Sequence, residues 1–282
     1  MRLGATIVAG ALLAGPAQAD SQAGLRWERN YDVAKKKAKE TKKPLLVDFW
    51  AEWCTWCHRL DRTTYVDPQV VKLAEDFIAV KVNTEGTPRE AAIALQYDVT
   101  SLPTIAFLSP AGHPILRLRG YLGPGQFPES MVEARELAAK VMGWEAALDK
   151  NAKDAAALFG LGRHLYQQED YEESRELLAA ATIGDASQPV ANRKLARLLL
   201  GSLTYSYEQK YEEAEAILKA GLAIEPPHEY DAKLLYVLGK NYLAWGKKTE
   251  ARAAFQEIVK DHAESPVAEK ARETLVALDR NR

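Results

Sequence analysis

The hydrophobic pattern has two regimes that meet near residues 141–149. Before that stretch, short apolar runs alternate with amphipathic segments; after it, every apolar pattern has a helical period. Trp27, Tyr31, Ala34 and Ala38 recur at helical spacing and predict a first helix. Lys35, Lys36, Lys37 and Lys39 fill its solvated face rather than a binding patch. Residues 45–50 predict a buried strand, followed by a helix from Cys54 to about Tyr65. Asp67 and Pro68 read as the N-cap and first residue of a helix through Val70, Val71 and Leu73. Residues 77–82 predict a second buried strand. Thr87-Pro88-Arg89-Glu90 is a capping box that starts a helix to about Tyr97. Residues 104–108 and 115–118 pair as a hairpin across Ser109-Pro110-Ala111-Gly112, and a helix runs from about Pro128 to Met142. A βαβ unit followed by a ββα unit predicts a small α/β sheet covered by helices on both faces.

The second half repeats. Leu158, Leu161, Gly162 and Leu165 are followed by Ser174 and Leu178. Leu198, Gly201, Ser202 and Tyr205 are followed by Ala214, Leu218 and Pro226. Leu235, Leu238, Gly239 and Tyr242 are followed by Ala251 and Phe255. This spacing resembles the tetratricopeptide repeat, with Gly162, Ser202 and Gly239 equivalent at separations of 40 and 37 residues. The usual unit is about 34 residues, so the turns are expected to be lengthened. Ser265-Pro266 starts a last helix to about Leu278 that reads as a polar cap. Three units and a cap are about the minimum that buries a continuous core. The resemblance implies an all-α helical solenoid that binds a protein; a stabilising appendage is the alternative.

Composition changes the picture little. The chain has 282 residues, 47% hydrophobic and 27% charged, with a net charge of −2. Nothing in that balance calls for nucleic acid or an anionic membrane as partner. The N-terminus changes it more. Met1-Arg2 precedes a short apolar stretch, Gly15-Pro16 and the small-x-small site Ala17-Gln18-Ala19. This predicts a secretory signal peptide over residues 1–19, too short to span a bilayer, which takes about 20 apolar residues. The mature protein is then expected to be periplasmic or secreted, with an α/β domain over 20–142 and the repeat domain over 143–282.

The candidate chemistry is Cys54-Thr55-Trp56-Cys57, which contains the only two cysteines of the chain. So small a ring braces no fold, but it can be made and broken repeatedly, as a redox pair requires. Cys54 falls where a buried strand gives way to a helix. Free N–H groups at a helix N-terminus favour a thiolate there. Cys54 is therefore the expected attacking thiol and Cys57, a turn further in, the resolving one. Asp48 lies mid-strand between apolar residues, where a carboxylate is buried at a cost. Burial raises its pKa and suits it to exchange a proton with Cys57; a carboxylate that only pairs with Lys81 is the alternative.

Asp48-Phe49-Trp50-Ala51-Glu52-Trp53-Cys54, Val80-Lys81-Val82-Asn83 and Tyr97-Asp98-Val99-Thr100-Ser101-Leu102-Pro103-Thr104 resemble three segments of the thioredoxin fold, in order. Thr63-Thr64-Tyr65-Val66-Asp67-Pro68-Gln69-Val70 is similar to the periplasmic C-terminal domain of the bacterial transmembrane thiol:disulfide interchange reductase. The resemblance implies a thioredoxin fold and a thiol:disulfide oxidoreductase that works reductively on protein or peptide disulfides, recharged by a membrane or periplasmic redox partner. It adds Lys81 to Cys54, Cys57 and Asp48 as catalytic residues. It makes Pro103 a cis-proline, and Trp53, Trp56, Leu102 and Pro103 the substrate-binding residues. A disulfide oxidase or isomerase, or an interaction scaffold with a secondary redox site, are the other readings.

Two features depart from thioredoxin. Thr55-Trp56 stands in place of Gly-Pro, so the reduction potential does not carry over; members span roughly −270 to −120 mV. His58 stands in place of a common lysine, either as a support for the Cys54 thiolate or as a solvated histidine. Cys54-x-x-Cys57-His58 is formally a c-type haem attachment motif. Haem would require the strand-flanked site to be rebuilt, and zinc would lack a well-spaced fourth ligand. No cofactor and no metal are expected.

Overall fold

Strand β1 (Leu45–Trp50) lies at the middle of a four-stranded sheet of order β2-β1-β3-β4, parallel to β2 (Ile78–Asn83) and antiparallel to β3 (Thr104–Leu108). β4 (Pro114–Arg119) closes the hairpin with β3. The structure, a computed structural model, describes residues 24–280. The expected signal peptide, residues 1–19, lies outside them. Among the described residues no helix is long and apolar enough to cross a membrane.

Side chains alternate across β1 and build two cores. Leu45, Val47 and Phe49 face α1 (Tyr31–Thr41) and α4 (Pro88–Gln96). Leu46 faces α2 (Thr55–Thr63), α3 (Pro68–Leu73) and α5 (Phe127–Lys150). Asp48 shares the Leu46 face, so it points toward the helix that carries the cysteines. Local signals set most boundaries. Asp67 caps α3 through the N–H groups of Gln69 and Val70, and Thr87 and Glu90 form the complete capping box of α4.

Trp27 departs from expectation. Helix α1 begins at Tyr31, capped by the Asn30 side chain. Trp27 lies before it in an extended segment pinned to β2, where Glu28 N–H donates to Ala79 O at 2.8 Å. Its ring packs edge-on against Tyr65, with centroids 4.9 Å apart. The helical spacing was coincidental: pairing with the sheet edge outweighed it.

The helix expected to end near Met142 runs on to Lys150, so residues 142 and 143 lie inside one continuous α5. The repeat half then proceeds as α6 (Ala155–Gln167), α7 (Tyr171–Ala181), α8 (Val190–Ser206), α9 (Tyr211–Leu222), α10 (Tyr230–Ala244), α11 (Lys248–Asp261) and α12 (Ala268–Arg280). Three hairpin pairs and a closing helix agree with the predicted solenoid. A Cβ on Gly162 would meet Leu178 at 3.1 Å, on Gly201 Leu218 at 2.7 Å and on Gly239 Phe255 at 2.6 Å. The equivalent of Gly162 and Gly239 is therefore Gly201, one residue before the expected Ser202, because Gly201 is where the paired helices touch. Lys194 of α8 is fully buried and pairs with Asp231 of α10, tying two units together.

The halves share a core rather than a slack tether. Leu161 and Leu165 of α6 are buried in one cluster with Ile115, Phe127 and Met131. His164 Nε2 donates to the Pro114 carbonyl of β4 at 2.9 Å. In the β3–β4 turn, His113 donates to Glu145 at 2.6 Å and to Glu173 at 2.9 Å. Burial disfavours charge on this imidazole, but the two carboxylates prevail and raise its pKa to about 9. His113 is thus an imidazolium at neutral pH, clamped between α5 and α7.

Candidate active site

One end of the sheet collects the site. β1 ends at Trp50 beside Asn83 of β2, and Thr104 of β3 lies between Phe49 and Arg119 of β4. The segments leaving these strand ends, around Cys54, Glu85, Pro103 and Tyr121, therefore gather at the same edge. Cys54 is the N-cap of α2, and its Sγ accepts the N–H of Cys57 at 3.1 Å. The two cysteines form a disulfide, with Cα atoms 5.3 Å apart. A first-turn amide aimed at Sγ is the arrangement that stabilises a thiolate. The difference in exposure is smaller than the sequence suggested: Cys54 is 3% exposed and Cys57 is not exposed. The open surface beside them belongs to Trp53 at 65% and Trp56 at 51%.

Beneath the helix, Asp48 is wholly buried and faces Lys81 across the parallel β1–β2 register. Its Oδ2 lies 3.2 Å from Lys81 Nζ. Neither Asp48 oxygen, nor the buried Tyr65 hydroxyl, has a well-formed hydrogen bond. Burial lifts the Asp48 pKa to about 6; the Lys81 ammonium restrains the rise. In geometry the carboxylate is both buried and paired with Lys81.

Four neighbours of Lys81 escaped the sequence reading. Asp61 of α2 accepts a hydrogen bond from its ammonium. The rings of Trp27, Trp50 and Tyr65 surround it, with centroids 5.2, 5.4 and 5.7 Å from Nζ. Asp61 stands four residues beyond Cys57, a spacing that marks one helix face and offered a signal. Trp27 and Tyr65 gave none, because only the tertiary fold brings them to β2.

The other predicted residues are placed as follows. The Leu102–Pro103 peptide bond is cis, Pro103 is buried and its carbonyl accepts Gly120 N–H at 2.8 Å. Leu102 is half-buried against the α1 and α4 core. Trp53 Nε1–H donates to Glu85 at 2.8 Å. Trp56 packs against Tyr121 with ring centroids 5.4 Å apart. His58 turns to the Glu52 carbonyl at 2.8 Å, so its ring braces the turn before α2. Among the described residues no group of three or more His, Cys, Asp and Glu side chains is placed to hold a metal ion.

The Thioredoxin-like family profile matches residues 26–110, and a tetratricopeptide-repeat profile matches 143–189. The chain is 32% identical over 95 residues to the thiol:disulfide interchange protein DsbD of Vibrio vulnificus, a match covering 33% of this chain and 16% of that one. It is 33% identical over 88 residues to DsbD of Escherichia coli K12, covering 30% and 16%. The match thus spans about a sixth of the length of these curated relatives. The oxidised C-terminal domain of DsbD from Neisseria meningitidis is 23% identical, with a TM-score of 0.34, covering 39% of this chain and 99% of that one. The profile matches agree with the sheet order, the Cys54–Cys57 disulfide capping α2 and the paired helices that follow: residues 26–110 match a thioredoxin-like domain and residues 143–189 a tetratricopeptide repeat, and the chain has a thioredoxin fold followed by an all-α helical-repeat region.

Proposed function

We propose that this is an exported oxidoreductase that reduces disulfides of partner proteins through Cys54 and Cys57, while its repeats hold the partner. The observation that carries this reading is the first-turn N–H of Cys57 directed at Cys54 Sγ, with a buried carboxylate on the facing strand. The residue pattern of positions 1–19 supports export. In the reduced protein the Cys54 thiolate attacks a partner disulfide, forming a mixed disulfide and releasing one partner thiol. Asp48 takes the Cys57 proton; the Cys57 thiolate then attacks Cys54 Sγ and expels the second thiol. Two electrons pass to the partner, and the Cys54–Cys57 disulfide remains. Lys81 keeps Asp48 ionised near neutral pH. Trp53, Trp56, Leu102 and Pro103 flank the docked chain.

Equilibration with glutathione tests the direction. A potential more negative than about −200 mV is expected of a reductant, whereas one near −120 mV would identify an oxidase. Asp48 carries its own prediction. Because its pKa is about 6, the carboxylate is present above that pH and is lost below it. Resolution of the mixed disulfide should therefore slow as pH falls through about 6. Asp48→Asn should lower that rate by about 10²-fold at pH 7 and remove the inflection. Rapid-quench kinetics read both, and an inflection that survives in Asp48→Asn would make Asp48 structural.

A further inference from the structure

Helix α2 presents Trp56, Arg59 and Thr63 on one face, and all three meet Tyr121, which follows β4. The Arg59 guanidinium lies 5.3 Å from the Trp56 ring centroid and 5.1 Å from that of Tyr121. The two rings are themselves 5.4 Å apart, so the three groups form one cluster. Tyr121 is fixed from two sides. Its hydroxyl lies 3.1 Å from Thr63 Oγ1, and the next carbonyl, Leu122 O, accepts Thr64 Oγ1–H at 2.8 Å. The preceding Gly120 N–H donates to Pro103 O. The cluster therefore bridges the cysteine helix and the cis-proline segment.

Arg59 is exposed, and it is the charge in this cluster that the exchange chemistry does not use. Asp61, two residues on, is engaged by Lys81. Among the described residues no carboxylate pairs with Arg59, whereas Arg89 pairs with Asp32 and Arg119 with Glu169. A guanidinium already oriented by two rings has lost much of its freedom, so a carboxylate gains more from binding it than from binding a free side chain. The opposite wall differs in sign: Trp53 is held there by Glu85. We infer that Trp56, Arg59 and Tyr121 form a docking platform for an acidic side chain flanking the reacting cysteine of a partner polypeptide. The inference rests on the reading of Cys54 and Cys57 as the exchange pair.

The test uses the full-length reduced protein and short peptides whose single cysteine is disulfide-linked to 2-mercaptoethanol. Exchange yields the oxidised protein, the peptide thiol and 2-mercaptoethanol. The residues flanking the cysteine are varied among aspartate, asparagine and lysine. Each rate is divided by the same protein's rate with bis(2-hydroxyethyl) disulfide, which is small and uncharged. At low salt the aspartate peptide should react about fivefold faster than the lysine peptide, as an exposed ion pair and its reversal allow. The ratio should fall toward one at high salt. It should also fall to about one in Arg59→Gln, whereas Arg59→Lys should keep part of it. Equal rates for the three peptides with the wild-type protein, or a ratio that survives in Arg59→Gln, would overturn the platform. A protein that fails to react with the small disulfide would overturn the exchange reading, and the platform with it.

Discussion

Cys57→Ser should stop turnover and leave the partner covalently attached to Cys54. On the proposed reaction, the mixed disulfide is resolved by a thiol held against Cys54 Sγ within the same turn of helix. Such pre-positioned groups act at effective concentrations of about 10⁵ M or more. A serine hydroxyl at this buried position cannot take the place of a thiolate, and the chain contains no third cysteine. Multiple-turnover reduction of a protein disulfide should fall by at least about 10³-fold. Mass spectrometry should then find a one-to-one adduct on Cys54. Cys54→Ser should trap nothing comparable, because Cys57 is covered completely and has no helix-terminal amide directed at its sulfur. Equal trapping by the two variants would invert the assignment of attacking and resolving thiols.

Leu161→Ala with Leu165→Ala should destabilise the thioredoxin half, although both residues belong to the first repeat helix. Each side chain is essentially buried in the cluster that holds Ile115, Phe127 and Met131. Truncating a buried leucine costs about 2–5 kcal/mol. Two such losses approach the whole stability of an ordinary domain, about 5–15 kcal/mol. Hydrogen exchange of the full-length variant reads the effect locally: amides of β3 and β4 should lose protection together with those of α5 and α6. Unchanged protection over residues 104–119 would mean that the halves fold independently. The shared core has a practical consequence for partner selection. Removing everything after residue 150 would expose the Ile115 and Phe127 surface and strip Glu173 from His113. Client choice by the repeats is therefore tested cleanly only by substitutions within the intact chain.

Much of this architecture is written in local pattern. Alternation and apolar runs identify four strands, because a strand buried on both faces needs continuous apolar residues. Capping chemistry at Asp67, Thr87 and Cys54 marks helix starts, since the first turn of any helix must satisfy its own N–H groups. Cys54-x-x-Cys57 at a strand-to-helix junction specifies disulfide chemistry for the same local reason: three residues place both sulfurs within one turn. The helix-pair repeat is equally local, although its contact glycine was legible only to within a residue, because Gly201 and Ser202 are both small.

What remained hidden depends on groups far apart in the chain. The pairing of Asp48 with Lys81, which the sequence offered only as one of two alternatives, follows from strand register, which a parallel pairing sets across a whole helical crossover. Trp27 was drawn out of its helical period by backbone pairing with β2, and so joined the rings around Lys81. Tyr121 reaches Trp56 and Arg59 only because β4 ends beside β3 at the cysteine end of the sheet. Helix α5 continues past residue 142 because Val141 is buried in the same cluster as Leu161 and Leu165. In this protein, short-range hydrogen bonding and periodicity determined the elements and the dithiol. Tertiary packing decided which charges and rings surround that dithiol, and it joined the repeats to the thioredoxin-fold half, because burial of apolar surface rewards contacts regardless of their separation in sequence.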